Sequence, residues 1–193
     1  ICSGLVGSEM CIRDRAGYRV GAYTSPHLMR YNERIRLDGA EVDDESLCQA
    51  FEEIDQARGE VTLTYFEFAT LAALSLFSRL RPDLILLEVG LGGRLDAVNI
   101  IDADLALITT IDIDHAEWLG NSREAIGKEK AGIMRPDRPV VLADPEMPDS
   151  VFDYGKGIGA RVLLAGRDYS YATKGDHWQL SLIHISEPTR PLH

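Results

Sequence analysis

Glu88 lies inside an otherwise apolar run, LILLEV (84–89), where an unpaired carboxylate is costly to bury. Two kinds of partner would relieve it. One is a divalent cation, and Mg²⁺ favours oxygen ligands with several waters retained. The other is an arginine such as Arg94. The run continues into Gly90-Leu91-Gly92-Gly93-Arg94-Leu95-Asp96. Its glycines let backbone approach a ligand closely, or simply make a tight turn. It is not a dinucleotide fingerprint, because Leu95 stands where the third glycine would be. Two further segments carry polar groups: Thr24-Ser25-Pro26-His27 and Asp112-Ile113-Asp114-His115. His115 reads as a metal ligand or as a structural histidine, and Asp112 and Asp114 as ligands or turn residues. Lys128-Glu129-Lys130-Ala131-Gly132 reads as a charge run at a helix end, where lysines complement the helix dipole. Spacing alone gives Lys130 no special role.

These residues need elements to position them. Short β-prone or apolar runs at 17–23, 84–89, 105–110, 140–143 and 161–165 predict strands. All but the first read as buried strands, and the continuous apolar runs 84–89 and 105–110 are typical of strands buried on both faces. Leu47, Ala50, Phe51 and Ile54 fall at helical spacing and predict a helix over 45–58. A second helix is expected over 65–81, stopped by Pro82, and a third over 121–134 with Asn121 and Glu124 as a capping box. Strands alternating with helices predict an α/β fold, a mostly parallel sheet with helices on both faces. Ligands in such sheets bind beyond the carboxyl ends of the strands, where Ser25, Glu88 and His115 fall.

Composition sets the bounds. The chain has 193 residues and a net charge of −11, which argues against general nucleic-acid binding. No apolar run is long enough to span a bilayer, and no secretory leader is evident. Cys2, Cys11 and Cys48 form neither a metal spacing nor a disulfide framework, so a reducing cytoplasm is expected. There is no phosphate loop of the Gly-x₄-Gly-Lys-Ser/Thr type, no nucleophile elbow and no zinc spacing.

The two ends read differently from the rest. Residues 180–190 can be back-translated to a DNA string whose reverse complement, one base in, encodes LVGSEMCIRD, residues 5–14. The string resembles a sequencing-library adapter. Residues 1–15 and 180–193 are therefore expected to be translated adapter. The natural part, about 16–179, would be a single domain cut at both ends.

Six strings together resemble the dihydrofolate synthase/folylpolyglutamate synthase family of the Mur ligase superfamily. They are TSPHL (24–28), YNERIR (31–36), TYFEFATLAAL (64–74), LEVGLGGRLDAVN (87–99), DHAEWLG (114–120) and GKEKAGI (127–133). The resemblance implies part of a P-loop-type ATP-binding central domain. It implies an ADP-forming ligase that joins L-glutamate to dihydropteroate or a folate through an acyl phosphate, with ATP as substrate and Mg²⁺ as cofactor. Residue by residue, Ser25, Glu88 and His115 resemble the metal ligands, and Lys130 the lysine carbamylated by CO₂. Glu88, His115 and Lys130 would form the catalytic group. Thr64, Tyr65, Phe66 and Glu67, with Leu95, Asp96 and Ala97, resemble the segments that bind the pterin-bearing substrate. A monomer is expected, with no nucleic-acid or membrane partner. The family's glycine-rich phosphate loop would precede residue 16, so the chain alone should bind ATP poorly and have no ligase activity. Two other readings compete. One is a Mur-type ligase with a different acceptor, which the TYFE and LEVGLGGRLDA strings oppose. The other is a pterin-binding module without catalysis, which Glu88, His115 and Lys130 together oppose.

Overall fold

The computed structural model describes residues 17–113, 116–174, 177–182 and 185–186. The chain divides into two compact units. The first takes the residues up to Leu91 together with Asp96–Ile100, and the second takes Gly92–Leu95 and the residues from Ile101 onward.

In the first unit, β1 (Val20–Tyr23) pairs in parallel with β4 (Leu84–Leu87), in a register that sets Tyr23 against Leu87. On its other side β1 pairs antiparallel with β2 (Ile35–Leu37), which turns into β3 (Ala40–Glu41), giving the order β3-β2-β1-β4. The turn is Asp38-Gly39, both with positive φ (52° and 80°), which suits the primed turns that match strand twist. Helix α1 (Asp44–Arg58) starts on Asp43, whose side chain accepts from the Ser46 N–H. Helix α2 (Tyr65–Leu80) ends at Arg81 in a left-handed conformation, directly before Pro82. The apolar faces of α1 and α2 meet Tyr23, Ile35 and Val42 in one core with Leu47, Ala50, Leu76 and Phe77. Each large side chain buried there contributes about 1.5–3 kcal/mol.

The second unit holds a parallel sheet, β5 (Ala106–Ile108), β6 (Pro139–Leu142) and β7 (Arg161–Leu164), in that order. The short helix α3 (Ala116–Leu119) precedes α4 (Arg123–Ala131). Helices α4 and α5 (Asp149–Ile158) pack with the sheet around Ile126, Met134, Val140, Leu142 and Val151. A meander follows, β8 (Tyr169–Lys174), β9 (His177–Leu182) and β10 (Ile185–Ser186). Residues 180–182 and 185–186 thus take strand positions although their sequence lacks strand periodicity.

Two local expectations are corrected. The N-cap of α4 is Ser122, whose side chain accepts from the Ala125 N–H, and not Asn121. Glu124 makes no capping box. Its carboxylate reaches the start of α5, where Asp149 N–H and Ser150 N–H donate to it (3.3 and 2.8 Å). The apolar strands are also less covered than their composition predicts. Ile85 in β4 and Leu107 in β5 are each 44% exposed, and burial along β6 alternates. Among the described residues β5 and β6 have one buried face, and β4 has no fully buried residue.

Candidate functional site

Parallel pairing of β1 and β4 brings their carboxyl ends side by side. The ladder extends one step past the strands, where Glu88 N–H donates to the Tyr23 carbonyl (2.9 Å). Glu88 Oε2 then accepts from the Ser25 N–H at 2.8 Å. Arg94, the arginine offered as a partner for Glu88, has its guanidinium forked onto Glu129. Among the described residues no side chain makes a hydrogen bond or ion pair with Glu88 Oε1 or the Ser25 hydroxyl. A carboxylate oxygen and a hydroxyl at one strand-end pair suit a hard cation such as Mg²⁺. No group of three or more His, Cys, Asp or Glu able to hold a metal occurs among the described residues. His115 lies outside them.

The loop that carries Ser25 is held by its neighbour Glu33. Its carboxylate accepts from Leu28, Met29 and Arg30 N–H (2.9, 2.7 and 2.6 Å). Donation from Leu28, Arg30 and Met29 holds its pKa down to about 2. Arg34 is buried, and its Nε donates to His27 Nδ1 at 2.7 Å. Its guanidinium also lies 5.7 Å from the centroids of both the Tyr31 and Tyr65 rings. Burial pushes the Tyr31 and Tyr23 hydroxyls above the usual tyrosine range. Asn32 anchors the other side of the motif, donating to the Val42 carbonyl and Asp44 Oδ1, both at 2.8 Å. In the sequence, YNERIR carries no sign of these roles for Asn32, Glu33 and Arg34. What it does show is a charge-rich stretch next to a Ser-Pro loop.

The segment 64–67 is divided in its duties. Thr64 and Glu67 form a reciprocal capping box at the start of α2. Phe66 packs on Tyr23 (centroids 5.9 Å apart) and closes over Gly90, where a Cβ would sit 2.6 Å from its ring. Tyr65 is 62% exposed and meets Tyr31 edge-on at 6.1 Å, so it is the member free to pack against a ligand. In the glycine loop, Asp96 Oδ2 accepts from Gly90 and Leu91 N–H (both 2.9 Å), and Oδ1 from Val98 N–H (3.0 Å). That carboxylate shapes the loop. Leu95 is 79% exposed, and Ala97 opens a 3₁₀ turn, Ala97–Ile100.

Lys130 lies half-buried in the last turn of α4, in the second unit. The tip of the glycine loop packs on this turn. Arg94 N–H donates to the Glu129 carbonyl at 2.9 Å. A Cβ on Gly93 would meet the carbonyl oxygens of Glu129 (2.9 Å) and Lys130 (3.1 Å), and one on Gly132 would meet Arg94 Cβ at 2.4 Å. Two strings far apart in sequence are therefore pressed together through positions where only glycine fits.

Parallel strands with polar carboxyl ends, flanked by helices, are the α/β architecture of the Mur-ligase-like proteins. A structure of "E. coli FolC in complex with DHPP and ADP" superposes with a TM-score of 0.90 at 44% identity, over 98% of this chain and 47% of that one. A bifunctional folylpolyglutamate synthase/dihydrofolate synthase with Mn, AMPPNP and L-glutamate bound gives 0.86 at 42% identity, over 95% and 46%. The dihydrofolate synthase/folylpolyglutamate synthase of Escherichia coli (strain K12) is 48% identical over 177 residues, 92% of this chain and 42% of that protein. No family model matches. The chain belongs to the dihydrofolate synthase/folylpolyglutamate synthase family and spans less than half the length of these relatives.

Proposed function

We propose that this chain is part of an ATP-dependent amide ligase that joins L-glutamate to dihydropteroate, to folates, or to both. The observation that carries this reading is the Ser25–Glu88 pair at the adjoining carboxyl ends of β1 and β4. It is supported by relatives whose structures hold ADP with DHPP, and AMPPNP with Mn and L-glutamate. In the reaction, the substrate carboxylate takes the γ-phosphoryl group of ATP and ADP leaves. The glutamate amine then attacks the acyl carbon, loses a proton, and expels phosphate. Bound Mg²⁺ would supply neutralisation of the phosphate charge. The Ser25 hydroxyl and Glu88 Oε1 would hold it, with His115 as a further ligand.

Lys130 is the lysine we assign to carbamylation, in which its neutral amine attacks CO₂ and releases a proton. Tyr65 and Phe66 would offer ring surface to a pterin. Thr64, Glu67 and Asp96 would act by fixing backbone, and Leu95 and Ala97 by flanking the ligand. We assign the protein to the cytoplasm as a monomer. Among the described residues, no helix is long and apolar enough to cross a membrane.

The test uses the full-length protein of which this chain is a part. Glutamate-dependent ADP release with dihydropteroate is expected. Glu88→Gln should cut turnover roughly 100-fold and raise the Mg²⁺ requirement. No glutamate-dependent release sinks the ligase reading. Release with a different acceptor would favour another Mur-type ligase.

A further inference from the structure

We propose that Arg94 and Glu129 are a positioning pair for Lys130, acting through the last turn of α4. The inference rests on the carbamylation of Lys130 assigned above. Lys130 follows Glu129 directly, and both of their carbonyl oxygens are covered by the Gly93-Arg94 backbone. The side chains add a fork to this backbone contact. Arg94 Nε donates to Glu129 Oε1 and Oε2 (both 3.2 Å), and Nη2 donates to Oε1 (3.1 Å). A planar guanidinium set on a carboxylate fixes orientation as well as distance.

The backbone bond from Arg94 N–H to the Glu129 carbonyl fixes the level of the strip along the helix. The fork fixes rotation about the helix axis, since Glu129 can receive Arg94 only when that side of the turn faces the loop. Rotation of the turn sets the direction in which the Lys130 Cα–Cβ bond points. A surface ion pair would ordinarily contribute little to stability, and Arg94 and Glu129 are 49% and 27% exposed. The pair is therefore better explained by where it holds the neighbouring residue than by its contribution to stability.

The experiment uses the full-length protein with Arg94→Ala, Arg94→Lys, Glu129→Gln and the exchanged double variant Arg94→Glu/Glu129→Arg. Two quantities are read: the carbamate signal on Lys130 from ¹³C-bicarbonate by NMR, and the bicarbonate concentration giving half-maximal turnover. Arg94→Ala and Glu129→Gln should lower carbamate occupancy at ambient CO₂ at least fivefold. Turnover should recover when bicarbonate is saturating, with KM for glutamate unchanged. Arg94→Lys should be intermediate, since an ammonium cannot fork, and the exchanged variant should restore at least half of the occupancy. Unaltered occupancy and bicarbonate response in Arg94→Ala would overturn the proposal, even if that variant unfolds more easily. A full-length wild-type protein with no carbamate signal but normal turnover would overturn it together with the Lys130 assignment, while leaving the ligase reading intact.

Discussion

The two units fix their chemistry-bearing residues by different means. Around β1 and β4 the work is done by carboxylates that collect backbone N–H groups: Glu88 from Ser25, Glu33 from three loop residues, Asp96 from three more. Around α4 it is done mainly by glycines that admit another backbone: Gly93 onto Glu129 and Lys130, Gly132 onto Arg94. The second unit has carboxylates of the first kind as well, but away from the glycine loop: Glu124 caps α5, and Asp144 and Asp168 accept from the Glu146 and Leu164 N–H groups. Loops organised by an anion respond to protons. Contacts organised by a missing side chain respond to added atoms and hardly to pH.

Gly132→Ala should have the largest effect. Its φ of −61° is open to alanine, so the whole cost is steric, and the wall is Arg94 Cα and Cβ. A loss of about 3 kcal/mol is expected in urea unfolding. An unchanged midpoint would mean that the glycine loop does not pack on α4. Gly90→Ala is the matched test in the first unit. Its new methyl would meet only the Phe66 ring, a side chain that can swing, so about 1 kcal/mol is expected. If the two substitutions cost the same, the contrast between the units fails.

Ser122→Ala should cost about 1 kcal/mol by leaving the Ala125 N–H unmet at the start of α4. Asn121→Ala should cost nothing measurable, and the reverse ranking would restore Asn121 as the cap. The smallest effect belongs to Glu33. Its carboxyl is held at about 2 against an ordinary 4.5, so its contribution is complete above pH 4.5. That contribution fades as the pH falls from about 4.5 towards 2. Amide exchange at Leu28, Met29 and Arg30, relative to the intrinsic rates, should speed up across that window and lose the dependence in Glu33→Gln. Exchange that is flat across the window in the wild-type chain would remove Glu33 as the organiser of the Ser25 loop.

Glu88 was legible because a charge inside an apolar run has few explanations. Its pairing with Ser25 was not, since that depends on the register of β1 and β4. The Asp38-Gly39 pair is a plain hairpin signal, but the strands it joins are only three and two residues long, too short to show periodicity, so the antiparallel edge of β2 and β3 was not legible. Glu33 looked like any solvated acid. Its partners are backbone N–H groups, which leave no trace in residue identity. Gly132 could be understood only with Arg94 in view, and Arg94 meets the adjacent Glu129 across 35 positions of sequence. The starts of α1, α2 and α4 were legible to within about two residues, because capping chemistry is local, although Ser122 and Asn121 were exchanged; α5, which opens on Pro148 with no side-chain cap, was not.

The split of residues 91–101 between the units bears on any attempt to dissect the molecule. The chain leaves the first unit after Leu91, returns at Asp96, and leaves again after Ile100. No single cut yields both units whole. A piece starting at Ile101 would lose the Gly92–Leu95 strip and leave Gly132 facing an empty slot. A piece ending at Ile100 would carry that strip with nothing to rest on. Domain boundaries chosen from the sheets alone would produce two damaged halves, and poor behaviour of either would be an outcome of the cut rather than a property of the unit.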